Sequence, residues 1–269
     1  MKKKLKNAIA SLLIISAAVF FVNGTARAEV TTEGWDETRS VYYVKDDEKI
    51  VKADGIVKVD QDYLYFEKGV LQSAYTGLKK IKDDDTFELY YIENGKAAVN
   101  TWQTVEEKTG KFTYYFGAKG KAYKADSISG MRTTKVAIKK VEGVKYGFDE
   151  NGHSVKGLWS TDTKLAFFNK KTGVYDQKAT KKYQKAVKRG KKSAGLAKKI
   201  KKTFGKPKKV KKNSSCNPFD IKSNQTITSS MLKNYKGYNY IYKNIVISMT
   251  KNTKTGVYYM DGAGPIDLD

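Results

Sequence analysis

The sequence predicts a mainly β protein, with an N-terminal stack of aromatic-rich β-hairpin repeats followed by a small α+β domain. In the second part a basic helix or helix pair packs on a three- to four-stranded antiparallel meander. Three observations predict this. An aromatic pair or triplet followed by a turn glycine recurs between Tyr42 and Gly173, with first aromatics at 42, 65, 90, 114, 146 and 167. Residues 178–212 hold 17 Lys or Arg and no acid, with apolar residues at helical spacing. Strand-like segments then return after Pro207. Recurrence at a period of roughly 20–50 residues marks one supersecondary unit stacked on its copies, and the aromatic pattern falls in that range.

The chain of 269 residues opens with Lys2, Lys3, Lys4 and Lys6, then an apolar run from Ile9 to Val22, then Ala26-Arg27-Ala28. This reads as a secretion signal over 1–28, cleaved before Glu29. The apolar run is short for a membrane span, so no transmembrane anchor is expected. Neither a lipoprotein cysteine at the cleavage point nor a C-terminal sorting signal is read from the sequence. Cys216 is the only cysteine, which excludes an intramolecular disulfide. Of the formal charge of +24, the signal supplies +5 and residues 178–212 supply +17, leaving +2 for everything else. The basicity is local and asks for a local explanation.

Residues 29–175 read as the repeat domain. Val41–Val44, Tyr63–Phe66 and Leu89–Ile92 are rich in aromatic and β-branched residues and are bounded by turn signals. Asn94-Gly95 and Asn151-Gly152 predict type I′ hairpin turns, whose two central positions need positive φ. In the first, divergent copy Asp46-Asp47 stands where the turn glycine belongs. No proline interrupts the ladder between Glu29 and Lys206.

Residues 176–269 read as the α+β domain. Tyr183, Val187, Gly190, Ala194, Ala197, Ile200 and Phe204 trace one helical face, Asp176 is placed to cap its start, and Gly205 and Pro207 stop it. Gly190 and Gly195 leave open whether this is one long helix or two that break near Gly190, with Ser193 capping the second. Tyr238–Tyr242, Asn244–Met249 and Val257–Met260 then form the meander, with a turn at Asn252–Gly256.

The repeats resemble the cell-wall-binding repeats of Gram-positive bacteria, of the choline- and glucan-binding type. Gly34-Trp35 leads to Tyr42-Tyr43, Trp102 leads to Tyr114-Tyr115-Phe116, and Leu158-Trp159 leads to Phe167-Phe168. The clearest copy runs from Gly143 through Tyr146-Gly147-Phe148 and Asn151-Gly152 to Trp159. Other leading positions carry Ile56, Leu78 and Met131, so three tryptophans serve six units. The resemblance implies binding between hairpins of sugar or amine groups of a cell-wall glycan. It assigns that role to Trp35, Tyr42, Tyr43, Tyr65, Tyr90, Tyr91, Trp102, Tyr114, Tyr115, Tyr146, Trp159 and Phe167. The alternative is that these rings pack only as core. The C-terminal part, through Lys199–Pro207, resembles small secreted α+β modules of the beta-lactamase-inhibitor and outer-membrane-assembly lipoprotein type. That likeness implies a protein partner at 176–269, with the repeats as spacer.

For the basic segment, one reading is a solvated helix face. Another is attraction to a teichoic-type anionic wall polymer through Lys181, Lys185, Lys188, Arg189, Lys192, Lys199 and Lys202, weakened by salt. An anionic bilayer is a third, whereas export makes nucleic acid an unexpected partner. Nothing points to catalysis, a cofactor or a metal. His153 is the single histidine, expected to lie exposed after its turn, and it is far in sequence from Cys216. Asp83-Asp84-Asp85 reads as a solvated turn. The combined expectation is a secreted, wall-associated protein that is not an enzyme.

Overall fold

The computed structural model describes residues 32–83, 86–126, 132–213 and 228–268. The signal segment, Asp84, Asp85, Met131 and Cys216 lie outside the described residues. The chain is mainly β, built of repeated antiparallel hairpins, with short helices near the strands of its C-terminal region. It divides into two compact units. The first comprises Met1–Lys111 and Tyr115–Ala122, the second Phe112–Tyr114 and Tyr123–Asp269.

In the first unit, β1 (Gly34–Trp35), β2 (Tyr42–Asp46) and β3 (Lys49–Lys52) form a three-stranded sheet. A six-stranded sheet follows, from β4 (Gly55–Val59), β5 (Asp62–Glu67), β6 (Val70–Leu71), β7 (Gly77–Asp83), β8 (Thr86–Glu93) and β9 (Lys96–Ala97). Then β10 (Thr101–Glu107) pairs with β11 (Gly110–Phe116).

The aromatic–glycine signature has a direct cause. In the first two copies the leading aromatic donates its backbone N–H to the turn glycine of the next: Tyr42 to Gly69 O at 2.8 Å, and Tyr65 to Gly95 O at 2.9 Å. Those glycines have φ of +86° and +77°, and a Cβ would lie 2.4 Å from Val41 Cγ1 at Gly69 and 2.8 Å from Ser73 Cα at Gly95. Positive φ and close approach both exclude a side chain there. The doublet follows from strand alternation, since successive side chains point to opposite faces. Tyr65 joins a core with Tyr90, Ile92 and Ala97, while its neighbour Phe66 joins the preceding one with Tyr42 and Ala53. The Tyr65-Phe66 pair therefore fills two successive gaps.

The turns follow local chemistry. Asn94 and Gly95 both have positive φ, at 51° and 77°, as a type I′ turn requires. In the first copy Asp47, at φ 53°, takes the place of Lys68 and Asn94 in the later turns, while Glu48 stands at the glycine's position without a positive φ. The turn at Asn151-Gly152 differs from the expected form, because only Gly152 has positive φ. Asp149 Oδ1 accepts the backbone N–H groups of Asn151 and His153, both at 2.9 Å, and this Asx-type bonding sets the loop instead. His153 is not exposed as expected. Its ring stacks on Phe112 at 3.9 Å, meets Tyr114 edge-on and bonds Asp149 Oδ2 at 3.1 Å.

In the second unit, β12 (Val136–Val141) pairs with β13 (Val144–Asp149), and β14 (Gly157–Ser160) with β15 (Leu165–Phe168). Helix α1 (Gln177–Ala186) starts where Asp176 Oδ1 accepts the Ala179 N–H at 2.8 Å. The break near Gly190 is real: β16 (Lys192–Ser193) intervenes before α2 (Leu196–Phe204). Gly195, rather than Ser193, is the N-cap of α2, and Ser193 Oγ accepts the Gly195 N–H at 3.1 Å. After β17 (Lys209–Asn213) and the short α3 (Ser229–Leu232) come β18 (Tyr235–Ile241), β19 (Val246–Asn252) and β20 (Tyr258–Gly264). The sheet has five strands in the order β16-β20-β19-β18-β17, the meander being flanked by two basic edge strands. Val187, Leu196 and Ile200 bury against Tyr240, Ile247, Met249 and Met260, with Leu165 in the same core. Full burial of such side chains stabilises by about 1.5–3 kcal/mol each, and neither Gly190 nor Gly195 lies inside a helix, where glycine would cost about 1 kcal/mol.

Candidate functional site

Ring geometry decides what the aromatic array presents to solvent. Tyr42, Tyr65, Tyr90, Tyr114 and Tyr115 are buried, whereas Tyr43, Tyr91, Trp102, Tyr146, Trp159 and Phe167 are half-buried. Trp35 is exposed, at 38%. Its ring stands edge-on to Tyr42 at 5.1 Å and tilts against Phe66 at 5.7 Å, while Tyr42 and Phe66 stack at 5.1 Å. Two hairpins thus hold one open indole on a buried base of two rings. Trp102 meets Tyr115 edge-on at 5.2 Å, and the Trp159 indole donates to Lys156 O at 2.9 Å. Phe167 stacks on Tyr183, which contacts Phe204, which contacts Tyr242. Phe167 therefore ties its hairpin to the helices. Burial pushes the Tyr242 phenol up to about 12, with Tyr240 adding to the shift.

A second corner in the first unit joins Tyr65 and Tyr75, which meet edge-on at 5.4 Å. The Lys79 ammonium lies 4.6 Å from the Tyr65 ring centroid and 5.4 Å from that of Tyr75. Glu67 closes the corner, 3.1 Å from Lys79 Nζ and accepting the Tyr65 hydroxyl. The Tyr65 hydroxyl and the Lys79 ammonium bond this carboxylate and hold its pKa below the ordinary value. Phe66 is legible in the sequence as the second member of its doublet. The convergence of Tyr75, Lys79 and Glu67 on Tyr65 is tertiary and has no local signal.

The basic residues form the other candidate. All 17 cations of residues 178–212 are exposed. Lys181 and Lys185 lie on α1, Lys188 and Arg189 follow it, Lys192 is in β16, and Lys199 and Lys202 lie on α2. The apolar face of each helix is taken up by the core, so the charge points outward. Gly190 turns the chain at φ 79° and donates to Met260 O at 2.9 Å, which pins the loop to β20. Lys185, Lys188, Arg189, Gly190 and Lys191 line a shallow hollow of about 380 Å³ there. Among the described residues no group of three or more His, Cys, Asp or Glu is arranged to hold a metal. No helix of the described residues is long and apolar enough to cross a membrane.

The chain matches no protein-family model and no curated protein sequence. Among solved structures it is similar to a choline-binding domain from Streptococcus pneumoniae, at 21% identity over 39% of this chain and 96% of that one, with a TM-score of 0.25. It is similar to choline binding protein F of the same species, at 19% identity over 50% of this chain and 48% of that one, TM-score 0.23. It also overlaps truncated alternansucrase of Leuconostoc mesenteroides, at 16% identity over 59% of this chain but 12% of that one, TM-score 0.25. None of these likenesses identifies a ligand.

Proposed function

We propose that this is a secreted, non-catalytic protein that binds the Gram-positive cell envelope. Domain 176–269 contributes charge attraction to an anionic wall polymer, and the hairpins of 29–175 contribute stacking surfaces for wall glycan. The observation that carries the reading is the charge of residues 178–212: 17 cations along the two helices, their loops and the edge strands β16 and β17, every one exposed and none interleaved with an acid. Such a surface concentrates polyanions around it, and an exported protein meets them as phosphate-rich wall polymers. Lys181, Lys185, Lys188, Arg189, Lys192, Lys199 and Lys202 are the contacts assigned to the polymer. Of the aromatics, Trp35 is the contact best placed for a sugar ring.

Co-sedimentation with Gram-positive walls tests this. The protein is expected to sediment with intact walls at low salt and to be released as ionic strength shortens the Debye length to about 8 Å near 0.15 M. Walls stripped of anionic polymer are expected to retain only the weaker, salt-insensitive share. Absence of binding to both preparations at low salt overturns the reading.

A further inference from the structure

The corner at Tyr65 and Tyr75 has the composition of an alkylammonium site. Two ring centroids lie 4.6 Å and 5.4 Å from one nitrogen, and a carboxylate stands beside it. The cation it holds belongs to the chain. Lys79 lies on β7, paired across the hairpin with Tyr90, and this register carries its side chain to the Tyr65 ring. The Lys79 side chain is 29% exposed and that of Glu67 52%. Tyr65 itself is buried, so the way to its ring face runs past Lys79 and Glu67, and a soluble cation reaches it only by displacing the lysine.

We propose that Lys79 is an internal ligand of this corner and its specificity-determining residue. With the lysine in place the gap refuses small alkylammonium groups; with a short neutral side chain in its place the gap accepts them. A tethered group acts at an effective concentration in the millimolar range or above, enough to exclude weak ligands of the same chemistry. The inference rests on the proposed hairpin gaps, concerns which ligands they admit, and leaves Trp35 as the open aromatic surface of the first unit. It therefore favours neutral sugar rings over quaternary amines in the proposed wall binding.

The test uses the full chain, labelled with fluorotyrosine, and tetramethylammonium chloride as the probe against matched sodium chloride. The Tyr65 and Tyr75 fluorine signals, assigned from Tyr65→Phe and Tyr75→Phe, are followed in wild type, Lys79→Ala and Lys79→Ser. Both variants are expected to bind the probe at least about tenfold more tightly than wild type, equivalent to about 1.4 kcal/mol. The wild-type signals should not respond through the tens-of-millimolar range. Equal responses in wild type and a folded variant overturn the proposal and leave Lys79 a structural clasp. A separate measurement needs no variant: ring currents should shift the Lys79 ε-methylene protons upfield in the wild-type protein, and ordinary shifts there also overturn it. No wall enters either experiment, so failure of wall binding and failure of this proposal are separable.

Discussion

Gly147 offers the sharpest check on how the hairpins pack. It stands between Tyr146 and Phe148 on β13, at a φ outside the left-handed region, so backbone freedom is not why it is glycine. The reason is Phe168 of the hairpin β14–β15. A Cβ on residue 147 would lie 2.3 Å from Phe168 Cζ and 2.7 Å from both Cε atoms. Ordinary contact begins near 3.4 Å, so the ring would have to retreat much further than a packed neighbour can give. It has nowhere to go: Phe168 is fully buried among Val136, Val155 and Ala166, with Tyr175 against its edge. Overpacking of this kind costs about 1–3 kcal/mol, and so severe an overlap belongs at the upper end. Alanine recovers about 0.4–1 kcal/mol by restricting the unfolded chain. Gly147→Ala is therefore expected to lose about 2 kcal/mol net, roughly 4–8 °C in the Tm of the second unit. Urea and thermal unfolding measure this. Combining it with Phe168→Leu should recover part of the loss, a coupling of about 1 kcal/mol or more in a double-mutant cycle. A Gly147→Ala protein whose stability stays within about 0.5 kcal/mol of wild type, the range of an innocuous surface change, refutes the packing argument. Strict additivity in the cycle refutes it equally.

Other predictions concern binding and charge. Trp35→Leu keeps an apolar side chain on the Tyr42–Phe66 base but removes the indole face; wall affinity should fall roughly two- to tenfold, the equivalent of about 0.5–1.5 kcal/mol, with little change in Tm. The double replacement Lys185→Glu and Lys188→Glu should reduce sedimentation with intact walls at low salt and leave binding to polymer-stripped walls unchanged. Because burial raises the Tyr242 phenol to about 12 from 10.0, its contribution to stability is complete below pH 10 and is lost as pH rises towards 12. Tyr242→Phe should flatten that alkaline loss in pH-dependent unfolding, and an unchanged profile would place the titration elsewhere. Added salt should raise the Tm of the second unit while weakening wall binding, since it screens like-charge repulsion within the helices and attraction to the polymer alike.

The legible parts of the fold were those written in local chemistry. Tyr65-Phe66 with Gly69 and Tyr90-Tyr91 with Gly95 carry alternation and turn geometry in adjacent residues, and Asp176, Gly190 and Gly205 carry the punctuation of two helices. What escaped depends on partners distant in sequence. Strand β17 has no apolar alternation, Val210 is exposed, and it is a strand because β18 supplies its hydrogen bonds. His153 follows a turn and would be solvated but for Phe112 and Tyr114, which reach it from β11. For the candidate site, outward charge on the helices followed from the apolar stripe. The division of the aromatics into buried Tyr65 and open Trp35 did not, because the resemblance gave both rings the same role.

Like charges along the helix pair cost stability, which favours the proposed polyanion partner. On α1, Lys178 faces Lys181 and Lys182, and Lys185 faces both of these, all at i,i+3 or i,i+4 spacing. Each like-charge pair costs about 0.2–0.5 kcal/mol, so the four together cost roughly 1–2 kcal/mol. Asp176 supplies an acid at the N-terminus of α1, and Lys185, Lys201 and Lys202 sit in last turns where the dipole favours them, but α2 has neither an acid in its first turn nor a side-chain cap. Burial of Leu196 and Ile200 offsets these costs. Solubility would be met as well by mixed charges, which would add i,i+4 ion pairs instead of repulsions. A polyanion lying against a surface of one sign would offset these repulsions. Binding would then relieve the repulsion and stabilise the unit that binds.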